Sequence, residues 1–134
     1  MFIKHDAPQK GRQIVADGMF PGMSEVRADF GPNEEWYSLK DLAPDLHVLL
    51  VKDNYDDGPS YARPPYPATW ARQHGKGRVF YPSMGHRADI WTNPTFQAAQ
   101  VGGLNWAAAP GRCRDFAQLG ARGTSGPHVV PADV

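Results

Sequence analysis

His86 is the residue whose type and position best fit a chemical role. It follows Gly85 at the end of a short β-like run, in the kind of turn where α/β sheets place their ligand crevices. An imidazole with a neighbouring carboxylate can act as a general base or orient a substrate hydroxyl. Glu34, Glu35 and Asp89 could supply that carboxylate. The alternative is a histidine that only caps the turn.

Trp91 lies five positions after His86. Its indole offers a flat apolar surface on which the face of a sugar ring could stack. A tryptophan of this kind is more often part of a core, so both interpretations stay open.

The sequence shows no spacing that fits a metal or cofactor site. The run Asp53-x-Tyr55-x-Asp57-Gly58 resembles the start of a calcium loop, but a tyrosine occupies one ligand position and Pro64 replaces the closing glutamate. The histidines lack metal-ligand spacing, and no dinucleotide-binding fingerprint is present. We therefore predict no metal and no cofactor.

The single cysteine, Cys113, lies between Arg112 and Arg114. Flanking cations can lower the pKa of a thiol, but a cysteine nucleophile also needs a positioned base. One cysteine forms no internal disulfide and gives no sign of an oxidising compartment. We interpret this thiol as incidental.

Charge and hydropathy exclude several classes of partner. The 134 residues carry 14 basic and 14 acidic side chains, so the formal net charge is zero, and nothing attracts nucleic acid or an anionic membrane. No apolar run approaches the roughly 18 residues of a membrane helix, and the first ten residues lack the apolar core of a signal peptide. We expect a soluble, cytoplasmic protein.

Four elements are predicted to position these groups. The branched apolar run Leu46–Val51, with His47 as its one polar member, predicts a buried strand. Ala68–Arg72 and Arg78–Tyr81 flank a His-Gly-Lys-Gly turn and predict a β-hairpin. Apolar spacings of three and four after an Asn-Pro pair predict a helix over Pro94–Ala108.

The two ends of the chain show little regular pattern. Residues 1–33 are interrupted by glycine and proline, and we predict irregular structure there with one short strand near Arg27–Phe30. Residues 110–134 contain few large apolar side chains, which predicts a flexible tail. The chain is thus one domain over residues 1–109 followed by the tail.

The segment Tyr66–His86 resembles the ThuA-like family, which is named for trehalose utilisation. The matching features are a proline, a tryptophan, Gly-Lys-Gly-Arg-Val-Phe-Tyr and Gly-His, in that order. The likeness continues through Trp91-Thr92-Asn93-Pro94-x-Phe96 and Gly103-Leu104-x-Trp106-Ala107, and upstream through Glu34-Glu35-Trp36-Tyr37. It covers about residues 15–108.

This resemblance implies an α/β fold, part of a flavodoxin-like sheet of the class I glutamine amidotransferase type. Family members usually run to about twice this length, and nothing in the chain corresponds to their first half of parallel strands. Where the family often has His-Pro-Ile, the chain has Arg12-Gln13-Ile14, so one candidate ligand residue is lost. The amidotransferase-type nucleophile would lie in the half that is missing.

The resemblance further implies a role in the metabolism of trehalose, related disaccharides or their keto derivatives. His86 is then the acid/base or hydroxyl ligand, and Glu35 orients it or the sugar. Glu34, Tyr37 and Trp91 are the predicted substrate-binding residues. Two alternatives stay open: a non-catalytic module completed by a partner chain or by homodimerisation, and an inactive truncated remnant.

Overall fold

The computed structural model of the protein describes residues 1–53 and 65–109. Most of the calcium-like motif, Cys113 and the predicted tail over residues 110–134 lie outside the described residues. The described part contains eight strands, one 3-10 helix and one α-helix. In chain order they are β1 Phe2–Lys4, β2 Gln9–Lys10, β3 Gln13–Val15, β4 Asn33–Glu34, β5 Ser38–Leu39, β6 His47–Lys52, β7 Tyr66–His74, β8 Gly77–Pro82, the 3-10 helix Ala88–Thr92 and α1 Pro94–Ala108.

The main sheet has four antiparallel strands in the order β3-β6-β7-β8. The central strand β6 is the predicted apolar run, and its Leu49 and Leu50 are fully buried. His47 begins this strand, and its Nε2 lies 2.8 Å from the Asp17 Oδ2. The predicted strand is confirmed, and its one polar member has a hydrogen-bonding partner.

The predicted hairpin joins β7 and β8. His74 pairs with Gly77 across a two-residue turn, in which Gly75 has a φ of +59°. Glycine adopts this conformation without steric cost. The turn fixes the register, so that Trp70 lies opposite Tyr81 and Ala71 lies opposite Phe80.

Helix α1 has the predicted bounds, and its cap explains where it begins. The Asn93 side chain accepts hydrogen bonds from the backbone N–H groups of Thr95 and Phe96, at 2.9 and 3.2 Å. The helical glycines Gly102 and Gly103 bring this helix close to its neighbours. A Cβ on Gly103 would lie 2.4 Å from the Phe80 ring, so helix and sheet meet where only glycine fits.

The prediction of a strand near Arg27–Phe30 is wrong. The segment forms a turn in which the Phe30 N–H donates to the Arg27 carbonyl at 3.0 Å. The region instead contains β1, β2 and β3, which pair with β5, β4 and β6. Strands of two or three residues leave no period in the sequence, and their partners are distant along the chain.

Residues 34–39 alternate between buried and half-exposed side chains. Glu34, Trp36 and Ser38 point inward and are almost completely inaccessible, whereas Glu35, Tyr37 and Leu39 are partly exposed. This period of two is that of an extended chain with one buried face. The outward-facing side chains of this segment are therefore Glu35, Tyr37 and Leu39.

The predicted α/β class, with a β-hairpin and one C-terminal helix, is confirmed. One core cluster holds the described elements together and contains Trp36, Phe20 and Phe96. The strand pairings are antiparallel, so the parallel half that the resemblance implies is not among the strands of residues 1–53 and 65–109. No helix in this part of the chain is long and apolar enough to cross a membrane.

Candidate functional site

Glu34 is a fully buried carboxylate that holds the turn carrying His86. Its Oε2 accepts a hydrogen bond from the Gly85 N–H at 2.7 Å, and its Oε1 accepts one from the Arg87 N–H at 3.1 Å. The Glu35 N–H is 3.2 Å from the same Oε1. A buried carboxylate is tolerated when donors satisfy it. This placement gives the predicted substrate-binding residue Glu34 a positioning role.

The turn before His86 needs a glycine. Gly85 has a φ of +120°, which side chains rarely adopt. Its carbonyl accepts a hydrogen bond from the Trp91 Nε1 at 3.0 Å. The backbone on the N-terminal side of His86 is thus held by Glu34 at the amide and by Trp91 at the carbonyl.

The structure brings the two predicted catalytic residues together. The Glu35 Oε2 lies 3.4 Å from the His86 Nε2, within ion-pair range when the imidazole is protonated. Glu35 is largely shielded, whereas the His86 side chain is 57% exposed. An acidic group beside an accessible imidazole is an arrangement used in general acid/base chemistry.

An open cleft of about 410 Å³ lies over this pair. Its walls are Pro8, Glu35, His86, Arg87, Ala88 and Asp89. Arg87 and Asp89 form a two-bond fork, with Nε to Oδ1 and Nη2 to Oδ2 each at 3.0 Å. Because the hydrogen bond from Arg87 favours the ionised carboxyl, the pKa of Asp89 is lowered. These two charges compensate each other, and Glu35 and His86 are the other ionisable side chains that line the cleft.

His5 is a site residue that the sequence analysis missed. Its Nδ1 lies 3.7 Å from the Glu35 Oε2 and 3.1 Å from the Asp6 carbonyl oxygen. Its ring centroid is 5.5 Å from that of Tyr37. Two imidazoles thus approach the same carboxylate oxygen. No local signal marks His5, because strand β1 reaches the site only by pairing with β5.

Tyr37 is not one of the residues that line the cleft. Its ring contacts the His5 ring, which in turn lies beside Glu35. Its ring also meets Phe2 edge-on, with centroids 5.3 Å apart. Burial, and then the nearby Tyr37 hydroxyl, raise the pKa of Tyr81. Tyr37 therefore links the His5 side of the site to the aromatic residues of the main sheet.

Trp91 is 55% exposed and lies on the 3-10 helix. Its ring stands edge-on to Phe96, with centroids 5.2 Å apart. Its indole N–H donates a hydrogen bond to the Gly85 carbonyl, next to His86. The exposed part of its ring faces solvent. The indole packs against Phe96 of the core, keeps an accessible surface and does not line the cleft, so the stacking of a sugar on it stays a prediction.

No group of three or more His, Cys, Asp and Glu side chains within residues 1–53 and 65–109 is arranged to hold a metal ion. Beside the cleft, one carboxylate, Glu35, lies within 4 Å of two imidazoles, those of His5 and His86. Such groups transfer protons and bind hydroxyls.

Comparisons with known proteins identify the family of the chain. The sequence model of the ThuA family, described as trehalose utilisation, matches residues 1–107. The match includes Glu34, Glu35, Tyr37, His86 and Trp91. Searches of curated proteins and of solved structures found no significant match. With most of its length matched, the chain belongs to the ThuA family, whose description is trehalose utilisation.

Proposed function

We propose that the cleft binds a sugar or keto-sugar and that His86 exchanges a proton with one of its hydroxyls. The observation that carries this proposal is the 3.4 Å approach of the Glu35 Oε2 to the His86 Nε2 beneath an open cleft. The family description supports a role related to trehalose utilisation.

Glu35 sets which nitrogen of His86 reacts. A carboxylate beside Nε2 favours the tautomer that carries its proton on that nitrogen. The Nδ1 of this half-exposed ring is then free to accept a hydroxyl proton, and Glu35 stabilises the imidazolium that forms. The present distance is longer than a strong hydrogen bond, as is common before substrate binds.

The charges of the cleft favour a neutral ligand. Arg87 is engaged by Asp89 at 3.0 Å, so no free guanidinium is offered to a phosphate or carboxylate. Glu35 and the backbone carbonyls accept hydrogen bonds from hydroxyl groups. A polyol fits this set of groups better than an anion does.

Isothermal titration of the protein with trehalose and glucose tests the proposal. We expect His86→Ala to abolish binding of at least one sugar while the circular dichroism spectrum stays unchanged. His74→Ala is the matched control, because His74 is exposed on the hairpin turn, outside the cleft. Equal affinities for the parent and for His86→Ala would refute the proposal.

A second proposal concerns association with another chain. Strand β8 is the last strand of the main sheet among the described residues, and the edge strand of a sheet is where a strand of another chain can pair. Val79 on this strand is exposed, as are Val101 and Leu104 on the helix packed against it. These observations support a homodimer, or a partner chain that supplies strands of an amidotransferase-like sheet.

A further inference from the structure

The tripeptide Arg-Ala-Asp occurs twice in the chain, as residues 27–29 and as residues 87–89. In the first copy the Arg27 Nε lies 3.7 Å from the Asp29 Oδ1, and the two side chains are 84% and 83% exposed. In the second copy two hydrogen bonds of 3.0 Å each join the arginine to the aspartate. The same three residues therefore form a two-bond fork at the cleft and a loose contact elsewhere.

The backbone around the second copy holds the fork in place. The Arg87 N–H donates to the buried Glu34 carboxylate at 3.1 Å, and the Asp89 carbonyl accepts a hydrogen bond from the Thr92 hydroxyl at 2.9 Å. Ile90, the next residue, is 4% exposed and belongs to the core. Exposed ion pairs contribute little when their side chains are mobile, but a bidentate pair on an anchored backbone has defined geometry. The fork is thus a fixed part of the cleft wall.

Both members of the fork stay charged near neutral pH. The hydrogen bond to Asp89, and then the charge of its carboxylate, raise the pKa of Arg87. The hydrogen bond from Arg87 in turn lowers the pKa of Asp89. The guanidinium therefore faces an ionised carboxylate under ordinary conditions.

Arg87 is the arginine among the residues that line the cleft. A guanidinium binds phosphate or carboxylate groups through two parallel N–H donors. Asp89 occupies the side of the guanidinium formed by Nε and Nη2. Its carboxylate and that of Glu35, which lines the same cleft, also repel an approaching anion. An anionic ligand would have to displace Asp89 to use this side of Arg87.

We propose that Asp89 is the residue that excludes anions from the cleft, because it occupies Arg87 as a phosphate or carboxylate ligand would. This inference goes beyond the proposed function, since it concerns the ligands that the cleft rejects and does not require a sugar to bind. Loss of the Asp89 charge should turn the cleft into a phosphate site with Arg87 as its main ligand.

Isothermal titration of the full chain with inorganic phosphate at low ionic strength tests this inference. Asp89→Asn removes the charge and keeps the shape of the side chain, and because this side chain is 62% exposed the fold should be retained. We expect the variant to bind phosphate at least about fivefold more tightly than the parent, the effect of one unit charge at contact distance in water. The gain should fall as salt is added, because ions screen exposed charges. Asp89→Ser, which also removes the carboxylate, should show the same gain.

Two controls separate the fork from a general effect of charge. Asp29→Asn makes the same substitution in the same tripeptide away from the residues that line the cleft, and it should leave phosphate binding as in the parent. Asp89→Asn combined with Arg87→Ala should lose the gain, because the guanidinium that binds phosphate is then absent.

The outcomes that would overturn the inference are distinct. A gain that persists without Arg87, or that appears equally in Asp29→Asn, would come from net charge alone. Equal phosphate binding by the parent and by Asp89→Asn would show that Asp89 excludes nothing. None of these results depends on sugar binding, so failure of the sugar proposal, seen in the His86→Ala titration, is recognised separately.

Discussion

At the scale of single residues, neighbouring glutamates have different tasks. Glu34 is buried and accepts hydrogen bonds from backbone N–H groups, including those of Gly85 and Arg87. Glu35 is turned outward to the cleft, where it meets His86 and His5. The difference follows from the period of two, which places adjacent side chains on opposite faces.

Glu34→Gln should destabilise the fold more than Glu35→Gln does. Replacing one carboxylate oxygen by an amide group directs a donor at a backbone N–H, and such a buried mismatch costs about 1–3 kcal/mol. Urea unfolding followed by tryptophan fluorescence measures the free energy of unfolding. Glu35→Gln is the adjacent control and should change it by less than about 0.5 kcal/mol. Equal losses in the two variants would refute the positioning role of Glu34.

Tyr81 should make the protein less stable in alkali. Burial, followed by the Tyr37 hydroxyl, raises the pKa of Tyr81 above the ordinary value of 10.0. The unfolded chain therefore loses this proton at a lower pH than the folded chain does. Stability then falls as pH rises above about 10.

Tyr81→Phe tests this pH dependence. The variant should lose free energy of unfolding less steeply above that pH, measured by urea unfolding across a series of alkaline buffers. Tyr37→Phe, which removes only the smaller cause of the shift, should have the weaker effect. An unchanged slope in Tyr81→Phe would contradict this explanation.

The elements differ in how far the sequence could predict them. The helix Pro94–Ala108 has its own cap at Asn93, and the hairpin has its own turn at Gly75. Their signals are local, which is why their bounds or pairing could be read directly. Strands β1 and β2 owe their existence to partners more than 20 residues away, and no local pattern encodes them.

The same distinction applies to the site. His86 could be identified because it follows a strand and a glycine, and Glu35 because it belongs to a motif. The contribution of His5 depends on the β1–β5 pairing, which sequence periodicity does not show. The inward direction of Glu34 could have been suspected from the alternation of residues 34–39, but its backbone partners lie about 50 positions away.

Gly102→Ala should destabilise the packing of helix α1. A Cβ at this position would lie 2.2 Å from the Pro21 carbonyl oxygen, so the helix or the loop must move. In an open helix the same change would stabilise by about 1 kcal/mol, whereas here we expect a loss of about 1–3 kcal/mol. Thermal unfolding by circular dichroism measures the difference.

Asn105→Ala, on the exposed face of the same helix, is the control for this helix variant. It should be neutral or slightly stabilising, because alanine is the better helix former. A Gly102→Ala protein as stable as the parent would show that the helix does not need this close approach.

At the scale of the whole molecule, the proposed association concerns β8, the last strand of the main sheet within residues 1–53 and 65–109. If a dimer forms there, the midpoint of urea unfolding should rise with protein concentration, because association stabilises the folded state by mass action. Val79→Lys places a charge on the exposed edge strand and should remove that dependence. A sharp midpoint independent of concentration would identify a self-sufficient monomer.

The proposed sugar site and the proposed association both involve strand β8. Both follow from one antiparallel sheet: β8 provides its outer strand, and the turn after β8 carries His86. Substitutions at the edge should therefore alter association and leave the Glu35 carboxylate beside His86 in place.

The central claim is that a sugar contacts His86 beside Glu35, and NMR of the histidine side chains during trehalose titration tests it most directly. We predict saturable changes in the imidazole signals of His86 and His5 and in the amide of Gly85, with no change in His74. The His86→Ala protein should lose the response of Gly85. If the His86 signals stay unchanged at saturating trehalose, or if only residues remote from the cleft respond, the proposed site is wrong.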